Sequence, residues 1–421
     1  MRCRAARRSV DLRPLARGTA LIALALSGPL AAQAVEEDSQ RLQSVLALER
    51  EGYQPRQIKL GGIVLSPELD VSSIYDSNIY AAHSNRQGAL VTKVQPRLIV
   101  ESSEGRVQWH GQLAGEVRRY RSASKENSES YSASGTVAAA LVKGITATGT
   151  ASYRRAVENR SDPEVRQNPN LGPPLFNVAS GEFMLRGGRG KLSVSIKALV
   201  ENYDFVSRAN DDRDFTSSRG SVRLLYQVAP AVSAFIQGYA NKRDFRLRDP
   251  ILGVSRDGST LGALTGVQID PGGKVRGDIG VGLFRYRPVS SLFQSFSGFA
   301  IDGNLIYAPR PRLAVIVDVF RGDVATVRNG ASGRIDSRAR IAVQQEIRHN
   351  LLSTAAVRFR QTHYRGVSEK LTTIGGDLDL EYLIDHHFSI ALAAQMVKRT
   401  SGTVSDRFER ARVGLELRFR Y

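Results

Sequence analysis

The sequence predicts an all-β fold, namely a single transmembrane antiparallel β-barrel of about 18 strands. Three observations predict it: an arginine-rich N-terminus followed by apolar residues, turn signals that recur about every 40 residues, and runs in which apolar and charged residues alternate. After residue 34, no apolar run approaches the roughly 18 residues that a membrane-spanning helix needs. Passage through a membrane is therefore expected to use strands.

Residues 1–34 have the composition of a secretory signal peptide. Six arginines come before a short apolar stretch, and Ala32-Gln33-Ala34 forms a small-residue cleavage site, so we expect cleavage after Ala34. The pair Arg7-Arg8 is also compatible with a twin-arginine signal, although the residues after it match such a signal poorly. Export of this kind, combined with a predicted barrel, indicates the bacterial outer membrane as the expected location.

Cleavage would also remove Cys3, the only cysteine of the chain. The mature protein would then have no disulfide, no thiolate metal site and no cysteine nucleophile. Six arginines and one aspartate leave as well, so the formal net charge falls from +18 to +13. Basic proteins often bind nucleic acid, but an exported chain seldom meets any. We therefore expect anionic partners, namely lipopolysaccharide outside and an anionic solute inside, with no nucleic acid and no cofactor.

The mature chain is expected to have two parts, a periplasmic N-terminal segment at 35–60 and the barrel at 61–421. In the first part, Leu42, Val45 and Leu46 stand at helical spacing before Gly52, which is compatible with a short helix or plug. The alternative is a lead-in segment without regular structure.

Short turn signals divide the second part into repeating units. They are clusters of Gly, Pro, Asn or His typical of tight hairpin turns, and they stand near residues 104, 143, 187, 229, 271, 309, 349 and 385. Successive turns enclose two alternating runs separated by a longer polar segment. Eight short turns and nine long loops connect eighteen strands whose two ends lie on the periplasmic side. A β-propeller blade also repeats about every 40 residues, but it divides that length among four shorter strands.

Alternation within the runs assigns one face of each strand to lipid and the other to the lumen, because successive side chains of a strand point to opposite faces. At the end of the chain, Leu415, Leu417, Phe419 and Tyr421 share one face, and Arg418 lies on the other. An arginine placed near the bilayer midplane costs roughly 2–4 kcal/mol, so a slip of one residue is strongly disfavoured. This ending, with its terminal aromatic residue, resembles the signal that the barrel-insertion machinery reads.

The start of the predicted barrel resembles the opening motif of a known family. Gly61-Gly62, Pro67 and Leu69 are followed by Tyr75-Asp76-Ser77-Asn78-Ile79-Tyr80. This pattern is similar to that of the putative β-barrel porin 2 family, outer-membrane barrels often encoded beside exopolysaccharide synthesis genes. The resemblance implies a porin-like outer-membrane protein with a role in exopolysaccharide export and no catalytic residue. Its partners would include outer-membrane lipids, secreted polysaccharide and periplasmic export proteins.

Asp76 and Asn78 of this motif allow two interpretations. They either help to hold a cation or cap the end of the strand through side-chain hydrogen bonds, which is the commoner role of Asp and Asn at such a position. The six histidines show no metal-ligand spacing, and no Ser, His and Asp constellation of a barrel enzyme is evident. We therefore expect no metal site and no enzymatic activity.

Charged side chains that are predicted to face the lumen are the candidate functional residues. They are Arg118, Lys197, Arg223, Arg338, Arg340, Arg358, Arg360, Arg412, Arg418, Asp377, Asp379 and Glu381. A ring of guanidinium groups would attract carboxylate or phosphate solutes and favour anions. Alternatively, inward acids neutralise the basic groups, and the resulting ladders mainly stiffen the wall. The sequence does not distinguish these interpretations.

Residues 157–174 form the longest predicted loop and contain four prolines. Long ordered loops often have a function, so this loop either folds into the mouth as a constriction or stays at the surface. The preferred function is passage or export of hydrophilic, anionic molecules. The alternative is a structural or scaffold barrel that is plugged and does not transport.

Overall fold

The computed structural model describes residues 45–102, 107–142, 144–165, 172–270 and 273–421. The predicted signal peptide at 1–34 lies outside the described residues, as do residues 35–44 of the predicted periplasmic segment. Within the described ranges, no helix is both long enough and apolar enough to cross a membrane.

The described chain consists of strands joined by turns, loops and four short 3₁₀ helices. The helices are η1 Val45–Ala47, η2 Ser124–Glu126, η3 Arg208–Arg213 and η4 Val404–Asp406. The strands are β1 Ile58–Leu60, β2 Ile63–Asp76, β3 Ala89–Ser102, β4 Val107–Tyr120, β5 Ser128–Val142, β6 Ile145–Val157, β7 Leu175–Arg189, β8 Leu192–Phe205, β9 Phe215–Ala229, β10 Val232–Phe245, β11 Gly258–Ile269, β12 Val275–Pro288, β13 Phe296–Arg310, β14 Leu313–Val324, β15 Gly333–Arg348, β16 Leu351–Arg365, β17 Lys370–Leu383, β18 Phe388–Ser401 and β19 Phe408–Arg420.

Strands β2 to β19 form a closed antiparallel barrel. Each strand pairs with its neighbours in chain order, and β19 pairs with β2 from Arg412↔Asp76 to Arg420↔Glu68. The predicted all-β fold with eighteen barrel strands is confirmed. Strand β1 is an additional short strand, which pairs with the start of β2. The turn between them contains Gly61 with φ +60°, a left-handed conformation that glycine adopts without strain.

The two ends of the barrel differ in the length of their connections. At the end that carries β1 and the last residue of β19, which we call the turn end, the β15–β16 connection has only two residues. At the opposite end, which we call the loop end, residues 158–174 connect β6 to β7. Nine loops connect the strands at the loop end, which is the predicted number. Short turns at one end and long loops at the other are typical of outer-membrane barrels.

The outer face of the barrel is apolar and exposed. Leu261 and Phe299 are each 69% exposed, and Met396 is 71% exposed. In the last strand, Leu415 is 60% exposed, whereas Arg418, three residues later, is 2% exposed. Leucine therefore faces outward and arginine inward, as predicted. An exposed apolar band of this kind is unfavourable in water and suited to contact with lipid.

Part of the barrel interior is filled by apolar side chains. A buried cluster with residues from β9 to β13 and from β15 contains Leu225, Phe235, Leu264, Phe284, Ala300 and Ile335. The ring of Phe235 lies against Gly266, where an added Cβ would be 2.7 Å from the ring and 2.0 Å from the backbone oxygen of Ile279. The guanidinium carbon of Arg223 lies 4.2 Å from the centroid of the same ring. The missing side chain of Gly266 therefore leaves space for the ring of Phe235, and the guanidinium group of Arg223 stacks on that ring.

Candidate functional site

Three arginines of the lumen wall share one buried carboxylate, Asp336. Strand β15 places Arg334, Asp336 and Arg338 on its inward face, and β16 places Arg360 opposite Arg338. The carboxylate oxygens of Asp336 lie 2.7 Å from Arg338, 2.8 Å from Arg360 and 3.5 Å from Arg334. The hydroxyl of Thr362 donates a further hydrogen bond of 2.9 Å. Because a buried charge is stable only when it is paired, these side chains hold one another in place.

A second carboxylate, Asp76 of β2, connects β2 to the last strand, β19, at the loop end. It lies 2.5 Å from Arg410 and 2.8 Å from Arg412. The backbone N–H of Asn78 donates to Asp76 at 3.1 Å, and the side-chain amide of Asn78 donates to the backbone oxygens of Ala82 and Glu409. These contacts are those of a capped turn. The described ranges contain no group of three His, Cys, Asp or Glu side chains that could hold a metal ion.

All nine basic residues predicted for the lumen lie beside a carboxylate. The pairs are Arg118 with Glu116, Lys197 with Glu182, Arg223 with Asp278, Arg338 and Arg360 with Asp336, Arg340 with Asp318, Arg358 with Asp377, Arg412 with Asp76, and Arg418 with Asp379, Glu381 and Glu416. The three predicted acids, Asp377, Asp379 and Glu381, are among these partners. The geometry thus contains the pairs that the ladder interpretation requires. The role of these residues in lining a passage stays a prediction.

The loop after β6, which we call the inward loop, crosses the inside of the barrel. It comprises residues 158–174, of which 158–165 and 172–174 are described. Its Glu164 accepts hydrogen bonds from Arg334 at 2.8 Å, from the backbone N–H of Val327 at 2.8 Å and from the hydroxyl of Tyr364 at 2.9 Å. Arg334 and Tyr364 belong to β15 and β16, which are nine strands away from β6 and β7 in the barrel of eighteen. The loop therefore reaches the opposite wall instead of staying at the surface, and its role as a constriction stays a prediction.

Near its start, the inward loop is held by buried ion pairs to neighbouring loops. Arg160 lies 2.7 Å from Glu126 of η2, and both side chains are buried. Glu158 pairs with Arg213 of η3, whose Nη1 donates to it at 2.9 Å. Burial raises the pKa of Glu158 above its usual value, although the hydrogen bonds and charge of Arg213 act in the opposite direction.

Ser161 connects the inward loop to the last two strands. Its backbone oxygen accepts a hydrogen bond from Arg399 of β18, and its hydroxyl accepts one of 3.0 Å from Arg410 of β19. Arg399 also donates to the hydroxyl of Thr373 at 3.1 Å, and its guanidinium carbon lies 4.8 Å from the ring centroid of Phe408. The loop is thus attached to two parts of the wall and to two neighbouring loops.

Sequence reasoning did not single out Arg334, Arg399 or Arg410. The alternation that identified Arg338 and Arg340 includes Arg334 when it is extended toward the start of β15, so a signal was present. The contacts of Arg399 and Arg410 depend on where a distant loop folds. No local pattern in the sequence indicates them.

The N-terminal segment enters the turn end of the barrel. Val45 of η1 packs against inward-facing apolar residues of β13 to β16, namely Ile306, Ala314, Ile316, Ala342 and Ala356. Arg50 lies 3.4 Å from Glu346 of β15, and the ring of Tyr53 contacts the ring of His349 edge-on at 5.8 Å. The segment thus contains a short helical turn, and this turn is seated within the barrel.

Comparison with solved structures finds barrels at low sequence identity. The chain is similar to the FrpB iron transporter from Neisseria meningitidis (F5-1 variant, apoprotein form), with 9% identity and a TM-score of 0.45, over 80% of this chain and 62% of that chain. It therefore spans less than two thirds of the length of FrpB. It is also similar to OpdO of Pseudomonas aeruginosa, with 11% identity and a TM-score of 0.46, over 86% of this chain and 98% of that chain.

A third similar structure is the siderophore receptor PirA from Pseudomonas aeruginosa, with 7% identity and a TM-score of 0.42, over 84% of this chain and 80% of that chain. A search among curated proteins finds no match. The family model described as putative beta-barrel porin 2 matches residues 51–421, which include every strand of the barrel. The resemblance inferred from the opening motif is confirmed, and the chain belongs to the putative beta-barrel porin 2 family.

Proposed function

We propose that this protein spans the bacterial outer membrane and passes hydrophilic, anionic solutes through its lumen. Membership of a porin family and the exposed apolar outer face support residence in a membrane. Export across the inner membrane would depend on the signal peptide predicted at 1–34. Secreted polysaccharide is the leading solute, because family members often accompany exopolysaccharide synthesis.

The observation that carries the proposal is that two carboxylates of the inner wall each face more than one arginine. Asp336 has three guanidinium neighbours, and Asp76 has two. Guanidinium groups stay charged at physiological pH and bind carboxylate or phosphate through two parallel hydrogen bonds. Where guanidinium groups outnumber the carboxylate they share, the wall raises the local concentration of anions and lowers that of cations.

A planar-bilayer recording of the refolded full chain under a KCl gradient tests this proposal. The reversal potential of the wild type is expected to lie toward the equilibrium potential of chloride. The double variant Arg338→Gln, Arg360→Gln is expected to have a reversal potential closer to zero. Lys398→Gln is the matched control, because this exposed lysine pairs with Glu409 outside the lumen. Absence of conductance in the wild type and in a chain without residues 158–174 would count against a channel.

A strain from which the gene has been deleted tests whether the protein exports polysaccharide. Loss of secreted polymer in that strain, with restoration by the wild-type gene, is the expected result for export. Secretion at the normal level would instead show that the polymer travels by another route.

The alternative is a scaffold barrel without transport, which docks periplasmic partners through its short turns. One observation favours it: the inward loop and the N-terminal segment occupy the lumen near its two ends. Loss of partner localisation with polymer secretion intact would support the scaffold. Under either proposal, the protein acts as a channel or as a scaffold and not as an enzyme.

Lipid and lipopolysaccharide are the proposed partners of the outer face. The barrel-insertion machinery is the proposed partner of the terminal strand, through Leu415, Leu417, Phe419 and Tyr421. Replacement of Phe419 and Tyr421 by alanine is expected to lower the amount of folded barrel in the outer membrane, measured by heat-modifiable migration on gels.

A further inference from the structure

We infer that residues 45–53 form a removable plug, which closes the turn end of the lumen when seated and leaves its seat when the channel conducts. We call these residues the plug segment. We call Ile306, Ala314, Ile316, Ala342 and Ala356 the seat. The inference rests on the proposed channel function, because a plug regulates something only if solutes pass.

The seat is an apolar patch on the inward face of four adjacent strands. Its five residues belong to β13, β14, β15 and β16, and all five are buried. Val45 is the residue of the plug segment that joins this cluster, and Leu48 packs at its edge. A patch of this kind is unfavourable when it faces water in an open lumen. The plug segment covers it, so the closed arrangement has a clear driving force.

Arg50 gives the plug segment its compact form and attaches it to the wall. Its guanidinium group donates to the backbone oxygens of Val45 at 2.6 Å and Leu48 at 2.9 Å, and its Nε lies 3.4 Å from Glu346. Glu346 also lies 3.3 Å from Arg312. When the plug segment leaves, Glu346 therefore keeps a cationic partner. Departure does not strand a lone buried charge, which would otherwise oppose opening strongly.

Gln344 makes the seated arrangement less stable than a fully apolar interface. It lies between Ala314 and Thr354 in the strand register and is fully buried. Neither its amide oxygen nor its amide nitrogen has a hydrogen-bond partner among the described residues. A buried amide without partners is unfavourable, and water that enters after the plug segment leaves would satisfy it. The seat is thus built to bind the plug segment without binding it permanently.

The plug segment is tied to the barrel by a short linker. Gly52 has φ +81° and open space around its Cβ position, so the backbone can change direction there. Beyond the linker, β1 pairs with β2 from Ile58↔Leu65 to Leu60↔Ile63. A released plug segment therefore stays next to the lumen entrance, and its return is an intramolecular step with a high effective concentration.

A disulfide lock provides the first test. In a Cys3→Ser background, Val45→Cys with Ala342→Cys links the plug segment to its seat, and Leu60→Cys with Ile63→Cys is the matched control within the β1–β2 hairpin. Oxidation is expected to lower the conductance of the first pair at least tenfold, with recovery after reduction, and to leave the control unchanged. An oxidised, fully cross-linked first pair that conducts like its reduced form would overturn the inference.

Substitutions in the seat provide a second test that does not depend on a cross-link. Gln344→Leu removes the unsatisfied amide, so it is expected to stabilise the seated plug segment and lower the open fraction about tenfold. Deletion of residues 45–53 is expected to give continuous conductance. Heat-modifiable migration on gels confirms that each variant has folded. A folded Gln344→Leu variant that opens as often as the wild type contradicts the inference.

The two proposals fail in different ways. If the wild type and the folded deletion variant conduct identically, the plug inference is wrong and the channel stands. If the wild type, the folded deletion variant and a folded chain without residues 158–174 are all silent, the proposed channel function fails, and the plug inference fails with it.

Discussion

At the scale of single residues, the inner wall depends on carboxylates that each hold more than one arginine. Asp336 is fully buried between Arg338 and Arg360 and accepts from both. Asp318, by contrast, is partly exposed and pairs with Arg340 at 3.2 Å. Removal of a buried partner leaves uncompensated charge in a low-dielectric setting, whereas an exposed pair is replaced by water. The two aspartates should therefore differ sharply in their effect on stability.

We predict that Asp336→Asn lowers the free energy of unfolding by about 3–5 kcal/mol, because three arginines lose their shared counter-charge. Asp318→Asn is expected to change it by less than about 1 kcal/mol. Urea unfolding of the refolded barrel in lipid vesicles, followed by tryptophan fluorescence and gel migration, measures both. Equal effects of the two substitutions would contradict the account.

At the scale of elements, several strands depend on glycine to make room for inward aromatic rings. Phe235 pairs with Gly266 in the β10–β11 register, and Tyr239 pairs with Gly262. At Gly262, an added Cβ would lie 2.3 Å from the ring of Tyr239. Arg219 stacks on that ring with its guanidinium carbon 4.9 Å from the centroid. Glycine, ring and guanidinium thus form successive layers from the wall inward.

We predict that Gly266→Ala destabilises the barrel by about 1–3 kcal/mol, because its Cβ would overlap the backbone of β12 and the ring of Phe235. Gly238→Ala is the matched control, since no atom lies within 4 Å of its Cβ position. That substitution is expected to be neutral or to stabilise by about 0.5–1 kcal/mol through reduced chain entropy. The urea transition of each variant relative to the wild type decides the matter, and a more stable Gly266→Ala variant would refute the layered arrangement.

The loop between β10 and β11 gives a pH-dependent prediction. Asp249 accepts hydrogen bonds of 2.8 Å from the backbone N–H groups of Ile251 and Leu252, and Arg256 lies 2.6 Å away. Burial acts to raise the pKa of Asp249, but these hydrogen bonds and the charge of Arg256 outweigh it and hold the pKa below the usual 3.8. The charged form therefore stabilises the folded loop above pH 3.8, and this stabilisation is lost as the pH falls through the lowered value.

We expect pepsin to cleave residues 246–257 of the wild type faster at pH 2 than at pH 4, beyond the change in pepsin activity itself. Asp249→Asn removes the titrating group. After correction for pepsin activity, pepsin should therefore cleave the variant at pH 4 as fast as it cleaves the wild type at pH 2. The ratio of the two cleavage rates in the variant serves as the reference. An identical ratio in the wild type would show that Asp249 does not control the loop.

The strands and loops were predictable because lipid outside and charge inside impose a strict period of two on each barrel strand. Ile341 and Arg340 show this pattern in neighbouring positions. The alternation predicted which face of each strand meets lipid, and the recurring turn signals predicted the number of strands. Strand β1 was not predicted, because three residues are too few for a period to appear. The path of the inward loop could not be predicted either. Glu164 and Arg334 are far apart in sequence, and only the closed barrel brings them together.

At the scale of the whole molecule, the loop end is fastened by contacts between loops that are far apart in sequence. Arg328 lies 2.6 Å from Glu369 and 2.6 Å from Asp406, so it joins the loops after β14, β16 and β18. Burial alone would lower the pKa of Arg328, but hydrogen bonds to Asp406 and Glu369 raise it above its usual value. The same side of the barrel receives Glu164 of the inward loop. The loops therefore form one connected layer.

We predict that Glu164→Ala detaches the inward loop from the opposite wall without unfolding the barrel. Backbone amides of residues 158–165 should exchange with deuterium at least tenfold faster, because the contacts with Arg334, Val327 and Tyr364 are lost. Glu409→Ala, at an exposed carboxylate of the same end, is the matched control. Unchanged exchange in a folded Glu164→Ala variant would mean that Arg160 and Glu158 hold the loop by themselves.

A loop that runs from one side of a cylinder to the point nine strands away also has a mechanical consequence. Lateral pressure in a bilayer tends to squeeze a hollow tube into an ellipse, and a tube can resist this only through the stiffness of its wall. A cross-brace that is anchored at both ends keeps the diameter constant along its own direction. Under lateral pressure, the cross-section of this protein should therefore keep its width along the brace and deform first in the perpendicular direction.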